Sequence, residues 1–142
     1  MSETKRVHYG AAPGGFPISR AVRAGDFVIT SAFGDHAFRP EDVVYDQGGI
    51  VIADGSDVRQ RSFAEEVRGT IRTVEEALGL AGCALADVVD VQVWLRDPRD
   101  FAEFNRIYAE YFQANQPVRS VFRADFMFDC RIEIKAIAYR PA

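Results

Sequence analysis

Phe63, Val67, Ile71, Val74 and Leu78 recur at steps of four, four, three and four residues. That spacing puts one apolar stripe along a helix, which must lie against a partner surface. Ser56 or Asp57 can cap this helix, which is expected to run to about Ala81, and Gly82 supplies a stop. The period then changes. From Asp87 to Arg96, Val89, Val91, Val93 and Leu95 alternate with Asp90, Gln92 and Trp94, the two-residue repeat of a strand. Asp97-Pro98-Arg99-Asp100 opens a second helix with an acid at the cap and proline at the first helical position. It is expected to reach about Ala114 and to bury some combination of Phe101, Phe104, Tyr108, Tyr111 and Phe112. Helix, strand, helix in close succession requires a sheet with helices laid on it.

The flanking segments supply the sheet. Gly10 to Gly15 is a turn-rich entry. Ser19 to Arg23 and Phe27 to Ser31 form a hairpin across Ala24-Gly25-Asp26. Phe33 to Gly49 has no clear period and is expected to be a long loop, followed by a short strand at Ile50-Val51-Ile52. Strands around Arg119 and Glu133 close the chain. The expected fold is α+β, one domain over residues 1–142, with a mixed sheet and two helices on one face. The uncovered face would favour oligomerisation wherever it is apolar.

Composition narrows the function. The chain is 48% apolar and 27% charged, with a net charge of −4, which argues against a nucleic-acid backbone as the main partner. Cys83 and Cys130 are distant and outside any C-x-x-C pattern, which suits reduced thiols rather than a disulfide framework or a zinc site. No apolar leader and no membrane-length run are visible, so a cytoplasmic protein is the expectation. His8 and His36 have no ligand-spaced partner, so neither a metal nor another cofactor is expected. Position within the long loop makes His36 a candidate pocket residue against a plain surface one.

The last quarter carries the chemistry. Arg119 sits in Pro117-Val118-Arg119-Ser120, and Glu133 sits in the alternating strand Arg131 to Ala138. On neighbouring strands the two could face one cleft, a rigid fork for a carboxylate beside a group that handles protons. A structural ion pair is the alternative.

The ordered segments resemble the RidA (YjgF-type) enamine/imine deaminases over nearly the whole chain. Ala21 to Val28 resembles that family's first hairpin, Asp87 to Val91 its middle strand, and Asp100 to Tyr108 its second helix. Pro117 to Ser120 and Ile132 to Ala138 resemble its C-terminal signature. The resemblance implies a chorismate-mutase-like domain in a homotrimer with sites between subunits. It also implies that Arg119 clamps a substrate carboxylate and that Glu133 positions or activates water. Asn105 and Ser31 match pocket positions of the family, with an ordinary structural hydrogen bond as the alternative for each. The implied reaction adds water to a C=N bond and releases ammonia and a keto acid, which needs positioning and proton transfer more than a metal.

Departures from the family pattern point to a changed substrate. Phe16-Pro17-Ile18-Ser19-Arg20 stands where the deaminases read Gly-Pro-Tyr-Ser-Gln, so Ile18 replaces a tyrosine hydroxyl. Ser31-Ala32-Phe33 replaces Ser-Gly-Gln, Val121 stands where the best-known deaminases often have Cys, and Asp125 to Asp129 is unusually aromatic. These changes suggest a bulkier substrate walled by Phe33, Phe126 and Phe128, unless those rings pack in the core or an interface. Lys135 to Pro141 is similar to the ending of 2-aminomuconate deaminases. A divergent enzyme on the same scaffold and a non-catalytic metabolite-binding trimer remain alternatives.

Overall fold

The computed structural model describes residues 6–11, 16–35, 43–48, 51–53 and 61–142. Six strands form one sheet: β1 (Arg6–Ala11), β2 (Ser19–Ala24), β3 (Phe27–Thr30), β6 (Val88–Leu95), β7 (Val118–Arg123) and β8 (Ile132–Tyr139). Their spatial order is β1-β2-β3-β8-β6-β7. Every neighbouring pair is antiparallel except β6 and β7. That parallel pair is joined by the helix between them, as a parallel connection requires. Two short strands, β4 (Val43–Tyr45) and β5 (Val51–Ala53), pair with each other in a separate ladder.

Helix α1 (Phe63–Leu80) begins later than Ser56 or Asp57, which lie outside the described residues. Ser62 is the cap. Its hydroxyl accepts from Glu65 N at 3.1 Å while the Glu65 carboxylate accepts from Ser62 N at 3.1 Å, a reciprocal capping box. The whole apolar stripe from Phe63 to Leu78 is buried. Gly82 ends the helix at φ +77°, a left-handed conformation that costs a side-chain-bearing residue about 1–2 kcal/mol.

The second helix starts as expected but through a single 3₁₀ turn, Pro98–Asp100, with the Asp97 carboxylate accepting from Arg99 N at 2.9 Å. Helix α2 (Phe101–Tyr111) stops short of Ala114. Gln116 Nε2 donates to the Phe112 carbonyl at 2.9 Å, and Asn115 turns the chain at φ +50°. Of the five aromatics, Phe104, Tyr108 and Phe112 are buried, Tyr111 is half-buried, and Phe101 is exposed.

Three other expectations are corrected. Gly10 and Ala11 belong to β1 rather than to an entry turn, whose remaining residues 12–15 lie outside the described residues. Phe33 to Gly49 is not loop throughout, since Phe33 makes a β-bridge to Ile134 and Val43–Tyr45 is a strand. Val89 is exposed although the alternation buries it. A register irregularity between Val88 and Asp90 inserts one residue and shifts the phase, so Val88, Val91, Val93 and Leu95 face inward.

The core lies between the sheet and the two helices. Val91, Val93, Ile132, Ile134 and Ala136 meet Val67, Ile71 and Val74 of α1 and Phe104 and Ile107 of α2. Each fully buried branched side chain contributes about 1.5–3 kcal/mol of apolar transfer. The opposite sheet face carries half-buried Val22, Ile29, Gln92, Trp94, Glu133, Lys135 and Ile137, with Phe122 exposed at the β7 edge. No helix among the described residues is long and apolar enough to cross a membrane.

Candidate functional site

Arg119 lies on the edge strand β7 in register with Val91 of β6. Val91 is buried beneath the helices, so Arg119 points to the same side. Its guanidinium carbon sits 4.8 Å from the Tyr108 ring centre, 5.5 Å from Phe104 and 5.9 Å from Phe101. Three rings of α2 thus surround the cation, a contact worth about 0.5–2 kcal/mol per favourable ring. Among the described residues no hydrogen bond or ion pair joins Arg119 to an acceptor. It lines a cavity of about 340 Å³ with Asn105, Tyr108, Ala109, Gln116 and Pro117. Asn105 Oδ1 is buried there with no partner among the described residues.

Glu133 occupies the other face. It lies on β8 between buried Ile132 and Ile134 and pairs with Trp94 of β6. The 124–130 segment folds back over it, and together they form a second cavity of about 320 Å³. Ala32, Trp94, Ala124, Asp125, Phe126, Met127 and Phe128 complete its lining. Burial pushes the Glu133 carboxyl up to about 7, because a charged carboxylate loses hydration there. Cys130 Sγ, 4.0 Å from Glu133 Oε1, is buried and its thiol is pushed up by desolvation first and by Glu133 second. That leaves it a thiol rather than a nucleophilic thiolate.

Arg119 and Glu133 are therefore not on neighbouring strands facing one cleft. Strand β6 separates β7 from β8, and the two side chains leave opposite faces of the sheet. The same geometry removes the alternative of an Arg119–Glu133 ion pair within one chain. Arg131, two residues before Glu133, instead pairs with fully buried Glu66, its Nε donating to Oε2 at 2.6 Å and its backbone N to Oε1 at 2.9 Å. Burial raises the Glu66 carboxyl, and the bonds from Arg131 oppose that shift.

The remaining candidates divide. Phe126 and Phe128 line the Glu133 cavity, and Phe128 also meets Phe16 at 5.7 Å. Phe33 does not line it. Its backbone bridges Ile134 through a pair of 2.9 Å hydrogen bonds, and its ring is buried in the core. Ser31 Oγ donates to the Ser19 carbonyl at 2.7 Å, so its hydroxyl fastens the β2–β3 end. Ile18 is 45% exposed and lines neither cavity. His8 is exposed on β1 beside Ser19 Oγ, and His36 lies outside the described residues. Trp94, Met127 and Tyr108 are cavity residues to which the sequence pattern gives no site role. Tyr108 follows Asn105 by three, one helical turn, and that period could have identified it. The Trp94–Glu133 contact depends on strand register, which one sequence does not reveal.

The family described as Endoribonuclease L-PSP matches residues 12–140. A RutC family protein of Pyrococcus horikoshii is 34% identical over 125 residues, 87% of each chain. The 3-aminoacrylate deaminase RutC of Acinetobacter baylyi is 30% identical over 105 residues, covering 72% of this chain and 83% of that one. The 2-iminobutanoate/2-iminopropanoate deaminase of Rattus norvegicus is 42% identical over 76 residues, covering 53% and 56%. Among solved structures, yeast Mmf1 superimposes with a TM-score of 0.77 at 24% identity, covering 96% of this chain and 99% of that one. Rv2704 of Mycobacterium tuberculosis, a YjgF/YER057c/UK114 family member, gives 0.73 at 25%, covering 95% and 99%.

Proposed function

The chain belongs to the endoribonuclease L-PSP family, the YjgF/RidA family, and from that premise we propose that it hydrolyses the C=N bond of an imino or enamino carboxylic acid. The observation that carries the reading is Arg119: a half-buried cation with no acceptor among the described residues, in a cavity that also holds an unpartnered Asn105 oxygen. Such a group is built to receive an anion. Relatives named as imine and aminoacrylate deaminases support the chemistry. Neither cavity holds the clustered positive charge that an RNA backbone needs: the first has one lined cation and the second none.

Arg119 would hold the substrate carboxylate and Asn105 an adjacent polar group. Ionised Glu133 would take a proton from water as the water oxygen bonds to the carbon of the protonated imine, giving a neutral tetrahedral aminol. The same carboxyl would return that proton to nitrogen and then accept the hydroxyl proton as the C–N bond breaks, leaving ammonia and a keto acid. A carboxyl near 7 suits both directions of transfer.

Because Arg119 and Glu133 leave opposite faces, a complete site requires two copies, the Arg119 edge of one against the Glu133 cavity of the next. A homotrimer, as the resemblance implies, would allow that arrangement, and the apolar part of the open face suits it. Trp94, Phe126, Met127 and Phe128 favour a substrate with a larger apolar or unsaturated side group than a three-carbon acid. The test is ammonia release from imino acids generated in situ over several chain lengths. Acceleration that grows toward bulkier side groups is expected, with Arg119→Lys losing about a hundredfold in kcat/KM as the bidentate geometry is lost. No acceleration at any length contradicts the proposal.

A further inference from the structure

Tyr108 lies in the Arg119 cavity with its hydroxyl unaccounted for. The ring is clamped on several sides. Phe112 stacks on it at 4.5 Å, Phe104 tilts against it at 5.5 Å, and the Arg119 guanidinium sits over it at 4.8 Å. Only 6% of the residue is exposed. Its Oη is fully buried, yet no atom of the described residues hydrogen-bonds to it. Buried phenols nearly always find a partner, because leaving the hydroxyl unpaired forfeits its hydration. Gln116, the other amide on this cavity, donates its Nε2 to the Phe112 carbonyl instead. Tyr108 lines the cavity, and packing fixes its ring there, beside the cation.

Burial holds the phenol proton on, pushing its ionisation up to about 12, although Arg119 pulls the other way. At neutral pH the group is thus an O–H donor, and the guanidinium beside it is a donor only. Two donors, neither hydrogen-bonded among the described residues, suit a ligand group that offers two oxygens, while the buried Asn105 Oδ1 of the same cavity is left for a ligand N–H.

Resting on the carboxylate-clamp reading above, we infer that Tyr108 is a substrate-binding residue whose hydroxyl donates to the carboxylate held by Arg119. The pair reads the ionised acid rather than merely attracting negative charge. A primary amide at the same place would turn an N–H against these donors, so amides of the same skeleton are excluded. The ring stack sets where the carboxylate sits, and Arg119 supplies the charge.

The test is calorimetric titration of the full-length protein with 2-oxobutanoate and with 2-oxobutanamide, alongside melting temperatures of the unliganded proteins. Tyr108→Phe keeps the ring and removes only the hydroxyl. It should weaken 2-oxobutanoate binding by about ten- to hundredfold, as expected for a hydrogen bond to a charged group, and leave the melting temperature unchanged or higher. The parent should prefer the acid over the amide, and Tyr108→Phe should narrow that preference. If Arg119→Lys loses binding while Tyr108→Phe binds as the parent does, the clamp stands and the inference about Tyr108 is wrong. If neither variant changes binding, or the parent does not bind the acid, both readings fail. A Tyr108→Phe protein that unfolds or melts lower also overturns the inference, since the hydroxyl would then hold the fold.

Discussion

Replacing Glu133 by Gln should remove a specific slope from the pH dependence of stability. The Glu133 carboxyl ionises near 4.5 in an unfolded chain and is raised to about 7 in the fold by burial. Between those values the folded state keeps a proton that the unfolded state has released. Its contribution is therefore fully present below about 4.5 and is lost as pH rises through about 7. A difference of about 2.5 pKa units sets a ceiling of about 3 kcal/mol at 1.36 kcal/mol per unit. Glu133 is only partly buried, so solvent screening reduces this to about 1–3 kcal/mol. Gln cannot ionise and keeps the shape. The assay is urea unfolding of parent and variant at fixed protein concentration, at steps from about pH 5 to about pH 8. The variant's stability minus the parent's should grow by that amount across the range and then level off. Parallel curves would refute the buried, high-pKa carboxyl, and with it the proton-transfer role.

Glu66→Ala should cost about 3–5 kcal/mol in the same unfolding assay, because the variant leaves Arg131 without its buried partner; a loss below about 1 kcal/mol would mean the pair is solvated. Phe104→Ala should cost about 3–5 kcal/mol, since Phe104 is 0% exposed and packs on Tyr108. Because Phe104 also braces Arg119, that variant should weaken 2-oxobutanoate binding in calorimetry even where it remains folded. Gly82→Ala should lower stability by about 1–2 kcal/mol through its left-handed φ of +77°, with no neighbour to clash, and an unchanged midpoint would contradict this.

The two helices, the hairpin and the C-terminal strands were legible because each rests on local chemistry. The Phe63 to Leu78 stripe and the Asp97-Pro98 start are fixed by helix period and capping, and the fold keeps both. Expectations failed where nonlocal pairing decided the outcome. Placing β6 between Arg119 and Glu133 depends on strand order, and exposing Val89 depends on one irregular residue in a ladder. The aromatic run 125–129 was readable as a candidate wall, but burial of Phe33 in the core follows from its bridge to Ile134, far off in sequence. The helix period marks Tyr108 only as a core aromatic. The ring is indeed core, and that its hydroxyl has no partner among the described residues depends on nonlocal packing.

The central claim is that Arg119 of one copy works with Glu133 of another, because a single chain sends them to opposite sheet faces. Subunit mixing tests it directly. Arg119→Lys and Glu133→Gln proteins, each strongly impaired alone on an imino acid, are combined, exchanged under mild denaturant and assayed for ammonia release. Shared sites predict that activity returns, since mixed assemblies contain junctions where an intact Arg119 meets an intact Glu133. Activity that stays impaired after verified subunit exchange would contradict a site assembled between two copies.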